Sequence, residues 1–230
     1  MGDYFAFSRL IDSIDTVLSG AGATLEIVIF SFLLALVFGV LLAVIRIRKT
    51  PVLTQIAAVF NSFMRGTPMI VQIYLVYYGL PFFMDLLFGV NINRWSKILY
   101  VILAIGLNNA AFFAEIFRSA MGSVSATQLE AGFSVGLSWI QTFRRVVFPQ
   151  AFRVALPSLV VQFISLLQST ALAYMFGVTD MMMAAQKYGS KSGHSLEAYC
   201  VVMVLFIVVC MALELSSRYL DRRLNTERRL

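Results

Sequence analysis

The chain has few charged residues, and this scarcity sets the class of protein. Only 13% of its 230 residues are charged, 60% are hydrophobic, and the mean hydropathy is +0.83. A soluble domain usually carries roughly a quarter of its residues as charged side chains. Lipid or a partner protein must cover the apolar surplus, so the composition predicts an integral membrane protein.

Cysteine and histidine are also scarce, which argues against several kinds of chemistry. Cys200 and Cys210 share one apolar run, in which a disulfide between them is not expected. The single His194 has no clustered cysteine or carboxylate around it, so the sequence predicts no metal site. The G-x-x-x-x-G-K-[ST] pattern that cradles phosphate is missing. We expect neither an enzyme nor a cofactor bound by this chain.

Long apolar runs are abundant, and five of them reach the length of about 20 residues that a bilayer requires. The predicted spans are roughly 21–45, 55–79, 98–117, 154–178 and 196–217. The sequence Arg-Gly-Thr-Pro at 65–68 interrupts the second span. Residues 1–20 combine helical apolar spacing with acidic residues, which is typical of an amphipathic helix on the membrane surface rather than a signal peptide.

Lysine and arginine are divided unequally between the two ends of this predicted bundle. With the N-terminus outside, inner segments hold twelve of them and outer segments five, while Arg65 falls within a span. Cytoplasmic loops carry the excess of positive charge, so the N-terminus is predicted outside and the C-terminus inside. We predict one all-α membrane domain over 1–230. It comprises an outer-surface helix at 1–20, a five-span core at 21–217 with a cytoplasmic loop at 122–150, and a basic cytoplasmic tail at 218–230.

The loop 122–150 is polar and is punctuated by helix signals. Ser125 and Ser138 are each followed three residues later by glutamine, as in a capping box. Gly136 stands where a first helix should end, and Pro149 is expected to close a second one. A mere solvated linker, the alternative interpretation, needs no such well-defined helices. The pattern favours a folded element that docks on another protein.

This loop resembles the cytoplasmic EAA loop of ABC-importer permeases. The match comprises Glu130, Ala131, Gly132, Gly136, Val146, Phe148 and Pro149, all at the family's spacing. Gly132 stands where the family usually has alanine, and Phe148 where leucine is common. Glycine costs a helix about 1 kcal/mol relative to alanine, so Gly132 is expected to soften this one.

Three further stretches resemble the polar amino acid type of these permeases. They are Arg65–Pro68 with its continuation to Pro81, Ala114–Arg118, and Gln168–Ala173, where many members have lysine in place of Gln168. Together the resemblance covers about residues 20–220. It implies transport of a polar amino acid across a bacterial plasma (inner) membrane. Within that type, the sequences of the motifs are more similar to those of cystine or histidine importers.

The resemblance also implies partners for this chain. Two ABC ATPase subunits, which bind ATP and Mg, would dock inside, and a substrate-binding protein would deliver the amino acid outside. The second permease subunit would be another copy or a similar chain. The residues implied in coupling to the ATPase are Glu130, Ala131, Gly132, Gly136, Arg144 and Pro149.

Polar residues within the predicted spans are candidates for the substrate path. A zwitterion needs a cation for its carboxylate and an acceptor for its ammonium group, and buried charges in membranes usually face protein or water. Seven-residue spacing places Arg65 with Gln72 on one helix face, and Asn108 with Glu115 on another. The candidates are Arg65, Gln72, Asn108, Asn109, Glu115, Gln168, Ser169 and Thr170.

Two alternatives remain open from the residues alone. Arg65 and Glu115 could pair with each other, while the amides join the helices, at about 1 kcal/mol each. At the level of function, a non-ABC channel or passive transporter subunit would also be apolar and multi-spanning. Such a protein would have no need of a capped docking loop.

Overall fold

The computed structural model describes residues 5–226, with side chains described up to residue 219, and this part of the chain is helical with no strand. Two wide π turns, Leu75–Gly79 and Phe143–Val147, and a 3₁₀ segment, Thr170–Phe176, interrupt the α-helices. The α-helices are α1 (Phe7–Leu18), α2 (Ala21–Arg48), α3 (Leu53–Gly66), α4 (Met69–Tyr74), α5 (Leu80–Phe88), α6 (Lys97–Gly122), α7 (Ala126–Ser134), α8 (Trp139–Thr142), α9 (Phe148–Ser169), α10 (Met181–Ser192) and α11 (Leu196–Thr226).

Five helical segments in the described part are long and apolar enough to cross a membrane, which confirms the predicted number. They are Ala21–Ile47, Met69–Phe88, Lys97–Gly122, Trp139–Phe176 and Leu196–Tyr219. The first, third and fifth agree with the predicted spans to within a few residues. The second and fourth have different bounds from those predicted, and a proline explains each difference.

The predicted second span, 55–79, is wrong in its bounds because Pro68 divides it. Proline offers no backbone N–H and disfavours a helical residue before it. Thr67 is accordingly extended, with φ −117° and ψ 146°. The 14 residues of α3 are about 21 Å long and cannot cross a core of about 30 Å. The segment long enough to span begins after the break, at Met69.

The prediction that Pro149 closes a second loop helix is also wrong. Pro149 lies in the first turn of α9, and the helical path runs from Trp139 through Phe176. The π turn Phe143–Val147 precedes it, and in such a turn the hydrogen bonds skip one residue further than in an α-helix. The usual clash between a proline ring and an α-helical carbonyl is relieved there. The second loop helix is therefore the start of the fourth span.

The core of the bundle is the close contact between α2 and α6. A hypothetical Cβ on Gly39 would lie 2.6 Å from Cβ of Phe113, and one on Gly106 would lie 2.6 Å from Leu34. Small residues allow this approach, as is common between membrane helices. The face of α2 that packs inward repeats every four residues, with Ser31, Ala35, Gly39 and Ala43 all buried.

Helix α1 packs against protein along one edge and leaves another edge open. Val17 is fully buried in a cluster with Ala185 and Ala198 of α10 and α11, and Leu10 and Ile14 pack beside it. The residues Phe7, Ile11 and Leu18 remain exposed. Residues Phe7–Leu18 are helical, as their apolar spacing predicts, and residues 1–4 lie outside the described residues. The placement of this helix on the outer membrane surface stays a prediction.

An ion pair fastens the N-terminal segment to the last span. Glu197, fully buried, accepts hydrogen bonds from Arg9 Nε at 2.8 Å and from the Ala6 backbone N–H at 3.1 Å. The hydroxyl of Tyr188 donates to the Arg9 carbonyl at 3.1 Å. These contacts join α1, α10 and α11 into one unit.

Asp180 begins α10, outside the membrane-spanning segments, and its side chain caps that helix. Its carboxylate accepts a hydrogen bond from the Met183 N–H at 2.8 Å. Burial raises the pKa of this carboxyl to about 6, because a desolvated carboxylate is disfavoured relative to its neutral form. A Cβ at Gly20 would meet the Asp180 carbonyl oxygen at 2.3 Å, so the α1–α2 joint rests directly on this cap.

The last helix is longer than the predicted fifth span. It continues through Thr226, so the first part of the predicted basic tail, 218–230, is helical, and 227–230 lie outside the described residues. Cys200 and Cys210 both lie on this helix and are free thiols, as predicted.

Candidate functional site

The loop between the third and fourth spans begins with a well-capped helix, α7. The Ser125 hydroxyl accepts a hydrogen bond from the Thr127 N–H at 3.3 Å, so Ser125 caps the helix. The predicted capping box, in which the Gln128 side chain would accept from the Ser125 N–H, is not formed. At Ser138 the complete capping box is present, as predicted. Each of the two loop helices therefore has a fixed start.

Gly136 ends α7 as the sequence predicts. Its φ of +81° lies in the left-handed region that favours glycine. The Gly136 N–H donates to Phe133 at 2.9 Å and the Leu137 N–H donates to the Gly132 carbonyl at 3.1 Å. This pair of bonds is a Schellman motif, which satisfies the free carbonyls at a helix end. The joint between the two loop helices is thus a defined turn.

Gly132 brings α7 into contact with α8. A Cβ at Gly132 would lie 2.4 Å from Cγ2 and 2.8 Å from Oγ1 of Thr142, too close for any side chain without movement. Both residues are buried. Gly132 was expected only to weaken the helix, whereas its lack of a side chain is what lets α7 pack on the start of the fourth span.

Several large apolar side chains of the loop are exposed. Phe133, Val135 and Ile140 are 47%, 74% and 65% exposed. The predicted coupling residues Glu130, Ala131, Gly136, Arg144 and Pro149 are exposed as well, while Gly132 is buried. We call Glu130, Phe133, Val135 and Ile140 the docking face.

The loop is joined firmly to the ends of two spans. The guanidinium carbon of Arg48, the last residue of α2, lies 4.1 Å from the ring centroid of Trp139 at the start of α8. Phe143 and Val124 pack against a buried cluster that includes Phe117 and Met121 of α6. The loop is therefore packed against the ends of α2 and α6 and continues into α9.

Glu115 lies at the centre of a cluster of arginines at this same end of the bundle. Its Oε2 accepts a hydrogen bond from Arg46 Nη1 at 2.7 Å, and its Oε1 accepts one from Arg118 Nε at 3.0 Å. Arg65 Nη1 lies 3.9 Å from Oε2. Three cations thus surround one carboxylate, and the predicted alternative of an Arg65–Glu115 pair is present as a long contact.

Of the three arginines, Arg65 has the weakest contact with Glu115. Its side chain is 45% exposed, against 23% for Arg46. Its guanidinium carbon lies 5.5 Å from the ring centroid of Phe112, within cation–π range. The prediction that Arg65 and Gln72 share one helix face is wrong, because the chain breaks between them at Pro68.

Gln72 and Asn108 repair the hydrogen bonds lost at that break. The Met64 carbonyl would bond the N–H of residue 68 in a helix, and proline has none. It instead accepts bonds from Asn108 Nδ2 at 2.8 Å and Gln72 Nε2 at 2.9 Å. Asn108 Nδ2 also donates to Gln72 Oε1 at 3.0 Å. Both predicted path residues are therefore engaged in joining α3, α4 and α6.

The remaining predicted path residues divide by what they contact. Asn109, 1% exposed, accepts a hydrogen bond from Gln162 Nε2 at 2.8 Å. Ser169 and Thr170 donate to the backbone carbonyls of Ser165 and Leu167 in α9. Gln168 is exposed with no hydrogen bond to a described residue. Among these four, Gln168 alone offers a free polar group.

Asn61 was not predicted, although it stands one helical turn before Arg65. It is 3% exposed, and both Oδ1 and Nδ2 are buried with no hydrogen-bond partner among the described residues. It lines a cavity of about 530 Å³ with Arg46, Ser62, Arg65, Phe112 and Glu115. An i, i+4 pair of polar residues in an apolar helix was the signal that could have pointed to it.

Comparisons with known proteins identify the family to which this chain belongs. Residues 35–226 match the family described as the binding-protein-dependent transport system inner membrane component. The chain belongs to this family. The permease is thus a transport subunit rather than an enzyme, since ATP hydrolysis in such systems lies in separate subunits.

Two curated relatives cover nearly the whole permease. A probable amino-acid ABC transporter permease protein, PatM of Vibrio harveyi, is 37% identical over 96% of this chain and 97% of its own length. The L-cystine transport system permease protein TcyL of Bacillus subtilis is also 37% identical, over 96% of this chain and 92% of its own length. These relatives confirm the predicted resemblance to amino acid permeases.

Solved structures share the fold of the permease. A crystal structure of an amino acid ABC transporter with histidines superposes with a TM-score of 0.81 at 25% identity, over 95% of this chain and 99% of the other. The inward-facing MetNI methionine transporter gives a TM-score of 0.67 at 19% identity, over 97% and 99%, and shows the fold alone.

Proposed function

We propose that this permease forms the membrane path of an ATP-driven amino acid importer in a bacterial inner membrane. Two ABC ATPase subunits dock on the inner side of the complex and contact this chain through its loop. A second permease subunit completes the path, and a binding protein delivers the amino acid from outside. ATP and Mg bind the ATPase subunits, and the permease itself holds no cofactor. Family membership and near full-length matches to amino acid permeases support this proposal.

The loop faces the cytoplasm in this proposal, with the N-terminus outside and the C-terminus inside. The corrected second span strengthens the charge argument. Arg65 contacts Glu115 beside Arg46 and Arg118, so it belongs to the loop end of the bundle rather than to a span. The division of cations becomes thirteen on the loop side and five on the other. That imbalance is typical of a cytoplasmic side.

The observation that carries the coupling role is the docking face. An exposed cluster of large apolar side chains beside water is unusual unless a partner covers it. The face includes Glu130, and its helices are held by caps, by the Gly132–Thr142 contact and by Arg48 on Trp139. A rigid, partly apolar surface fixed to several spans can transmit the movement of an ATPase to the membrane path.

The substrate path involves the polar residues within and beside the spans, namely Arg65, Gln72, Asn108, Asn109, Glu115, Gln168, Ser169 and Thr170. The hydrogen bonds above favour a direct role for Arg65 and Gln168, which have exposed polar groups. The other six act by fixing the helices around the path. Cystine and histidine are the first substrates to test, since TcyL is a cystine permease and the superposed amino acid transporter was crystallised with histidines.

Reconstitution in proteoliposomes tests the proposal. The permease is assembled with its ATPase and binding protein, and uptake of labelled L-cystine, L-histidine, L-arginine and L-glutamate is measured with and without ATP. Uptake that needs both ATP and the ATPase is expected. Flux through the permease alone, without any ATPase, would instead indicate a channel or passive transporter.

A further inference from the structure

The cavity of about 530 Å³ at the loop end of the bundle has more positive than negative charge. Its lining includes Arg46, Arg65 and Glu115, and Arg118 contacts Glu115 from the neighbouring turn of α6. Three arginines against one carboxylate leave two positive charges uncompensated within the cluster. A second cavity of about 290 Å³ shares Arg65, Phe112 and Glu115 with the first. The volume of the first cavity suits a small ligand, and its excess of positive charge favours one with an anionic group.

Glu115 is not available to such a ligand. Its two oxygens accept bonds from Arg46 and Arg118, which fixes the carboxylate and both of these guanidinium groups in place. Arg65 keeps only the 3.9 Å contact and is the most exposed of the three. Arg65 is therefore the cation with free donors, and Glu115 acts as a positioning residue for its neighbours.

Asn61 adds the second part of a recognition site. Its amide is buried on the same cavity, and neither its donor nor its acceptor has a partner among the described residues. A buried amide left without partners destabilises the fold, so such groups normally have something to bind. Ser62, on the same cavity, is exposed and its hydroxyl bonds no described residue.

We propose that Arg65, Asn61 and Ser62 bind the α-carboxylate and α-ammonium groups of the transported amino acid at the loop end of the path. The Arg65 guanidinium donates to the carboxylate, and Ser62 adds a hydroxyl donor. The Asn61 carbonyl accepts from the ammonium group, while its NH₂ donates to the carboxylate. These contacts read the backbone groups that all amino acids share, so this site does not select the side chain.

This inference rests on the proposed function and adds a location beside the docking loop. Arg118 and Glu115 lie within two turns of the end of α6, and α6 leads directly into α7. A ligand held here lies next to the elements that the ATPase moves. The site is thus placed to hold the amino acid at the last stage of its passage.

The test compares Asn61→Asp with a matched control, Asn93→Asp, in the complete transporter. Asn93 is exposed in the connection between α5 and α6 and undergoes the same chemical change. The new carboxylate at position 61 occupies Arg65 and repels the ligand carboxylate. We expect uptake and direct binding of the transported amino acid to weaken by about tenfold or more, because a charge-assisted hydrogen bond to the ligand carboxylate is lost. Asn93→Asp should match the wild type.

Three further measurements keep the test decisive. Thermal unfolding in detergent should show Asn61→Asp to be as stable as the wild type, and Ser62→Ala, at an exposed position, should weaken binding by a few fold. The α-methyl ester of the transported amino acid, which lacks the carboxylate, should not compete for binding.

Wild-type binding by Asn61→Asp, or equal competition by the ester, would overturn the site while leaving the importer intact. Failure of the wild-type complex to take up any amino acid would instead refute the proposed function. The two outcomes are therefore distinguishable within one set of assays.

Discussion

Glu115 on α6 and Arg46 on α2 are joined by a hydrogen bond of 2.7 Å between Oε2 and Nη1. This ion pair links the loop ends of the two helices whose close packing forms the core of the bundle. Arg118 completes the arrangement from the next turn of α6. The pair makes Glu115 a structural centre of charge, so replacing it exposes three arginines to one another.

The first prediction concerns this cluster. Glu115→Gln should lower the thermal stability of the detergent-solubilised permease and abolish uptake, because removing one partner leaves several partly buried cations unpaired. The double variant Glu115→Gln with Arg46→Gln should be more stable than Glu115→Gln alone, since it removes one of those cations. Stability and uptake at wild-type levels in the single variant would show that the cluster carries neither role.

The second prediction concerns the contact between Gly132 and Thr142. Gly132→Ala should reduce coupled uptake, because the added Cβ meets Thr142 at 2.4 Å and forces α7 away from α8. Thr142→Ala removes the atoms that clash, so the double variant should recover much of the loss. Rates of uptake and ATP hydrolysis in proteoliposomes measure both effects.

Gly122→Ala is the matched control for this substitution. Gly122 is the last residue of α6, and a Cβ there meets no atom within 4 Å. It should transport normally. If Gly132→Ala behaved in the same way, the close approach of α7 to α8 would have no part in coupling.

The third prediction concerns the break at Pro68. Gln72→Leu should destabilise the permease by roughly 1–3 kcal/mol, since the Met64 carbonyl and Asn108 each lose a partner in a buried setting. Gln168→Leu makes the same change at an exposed amide and should have little effect on stability. Thermal unfolding compares the two, and equal stability losses would contradict the role assigned to Gln72.

The fourth prediction concerns pH. The pKa of Asp180 is raised to about 6 by burial, so between about pH 4 and 6 the folded state retains a proton that the unfolded state releases. Its contribution to the free energy of unfolding therefore falls as pH rises through this window and is constant above it. Asp180→Asn keeps a helix-capping side chain and removes the titration.

Thermal unfolding of the two proteins at pH 4, 5, 6 and 7 measures this difference. The wild type should lose stability relative to Asp180→Asn as pH rises from 4 to 6, with no further change at pH 7. Parallel pH curves for the two proteins would show that this carboxyl titrates at its ordinary value.

The hydrophobic pattern was sufficient to predict the number of spans, because the length of an apolar helix decides whether it can cross a bilayer. Gly136 and the capping box at Ser138 were also predictable, since each depends on local backbone chemistry. The path of the chain at Pro68 and Pro149 was not. Pro68 breaks a helix, and Gln72 and Asn108 supply hydrogen bonds to the Met64 carbonyl at that break. Pro149 is accommodated within a continuous helical path by the π turn that precedes it. Both outcomes depend on tertiary or neighbouring structure that the sequence spacing does not contain.

The candidate site was only partly predictable for the same reason. Arg65 and Glu115 were found because charges in apolar runs stand out, but their partners come from other helices. Whether a polar residue is free or engaged depends on packing, which sequence spacing does not contain. Asn61 was missed because a single amide in a helix is unremarkable until its burial on a cavity is known.

The coupling role of the docking face is tested most directly by Glu130→Arg in the reconstituted importer. Glu130 is exposed, so reversing its charge should leave the fold intact and act only on the partner surface. The exposed Glu214→Arg on the last helix, outside the loop 122–150, is the control. Uptake should be lost in Glu130→Arg, with ATP hydrolysis no longer linked to transport, and retained in Glu214→Arg. Coupled uptake at the wild-type rate in Glu130→Arg would contradict the proposal that this loop transmits the force of the ATPase.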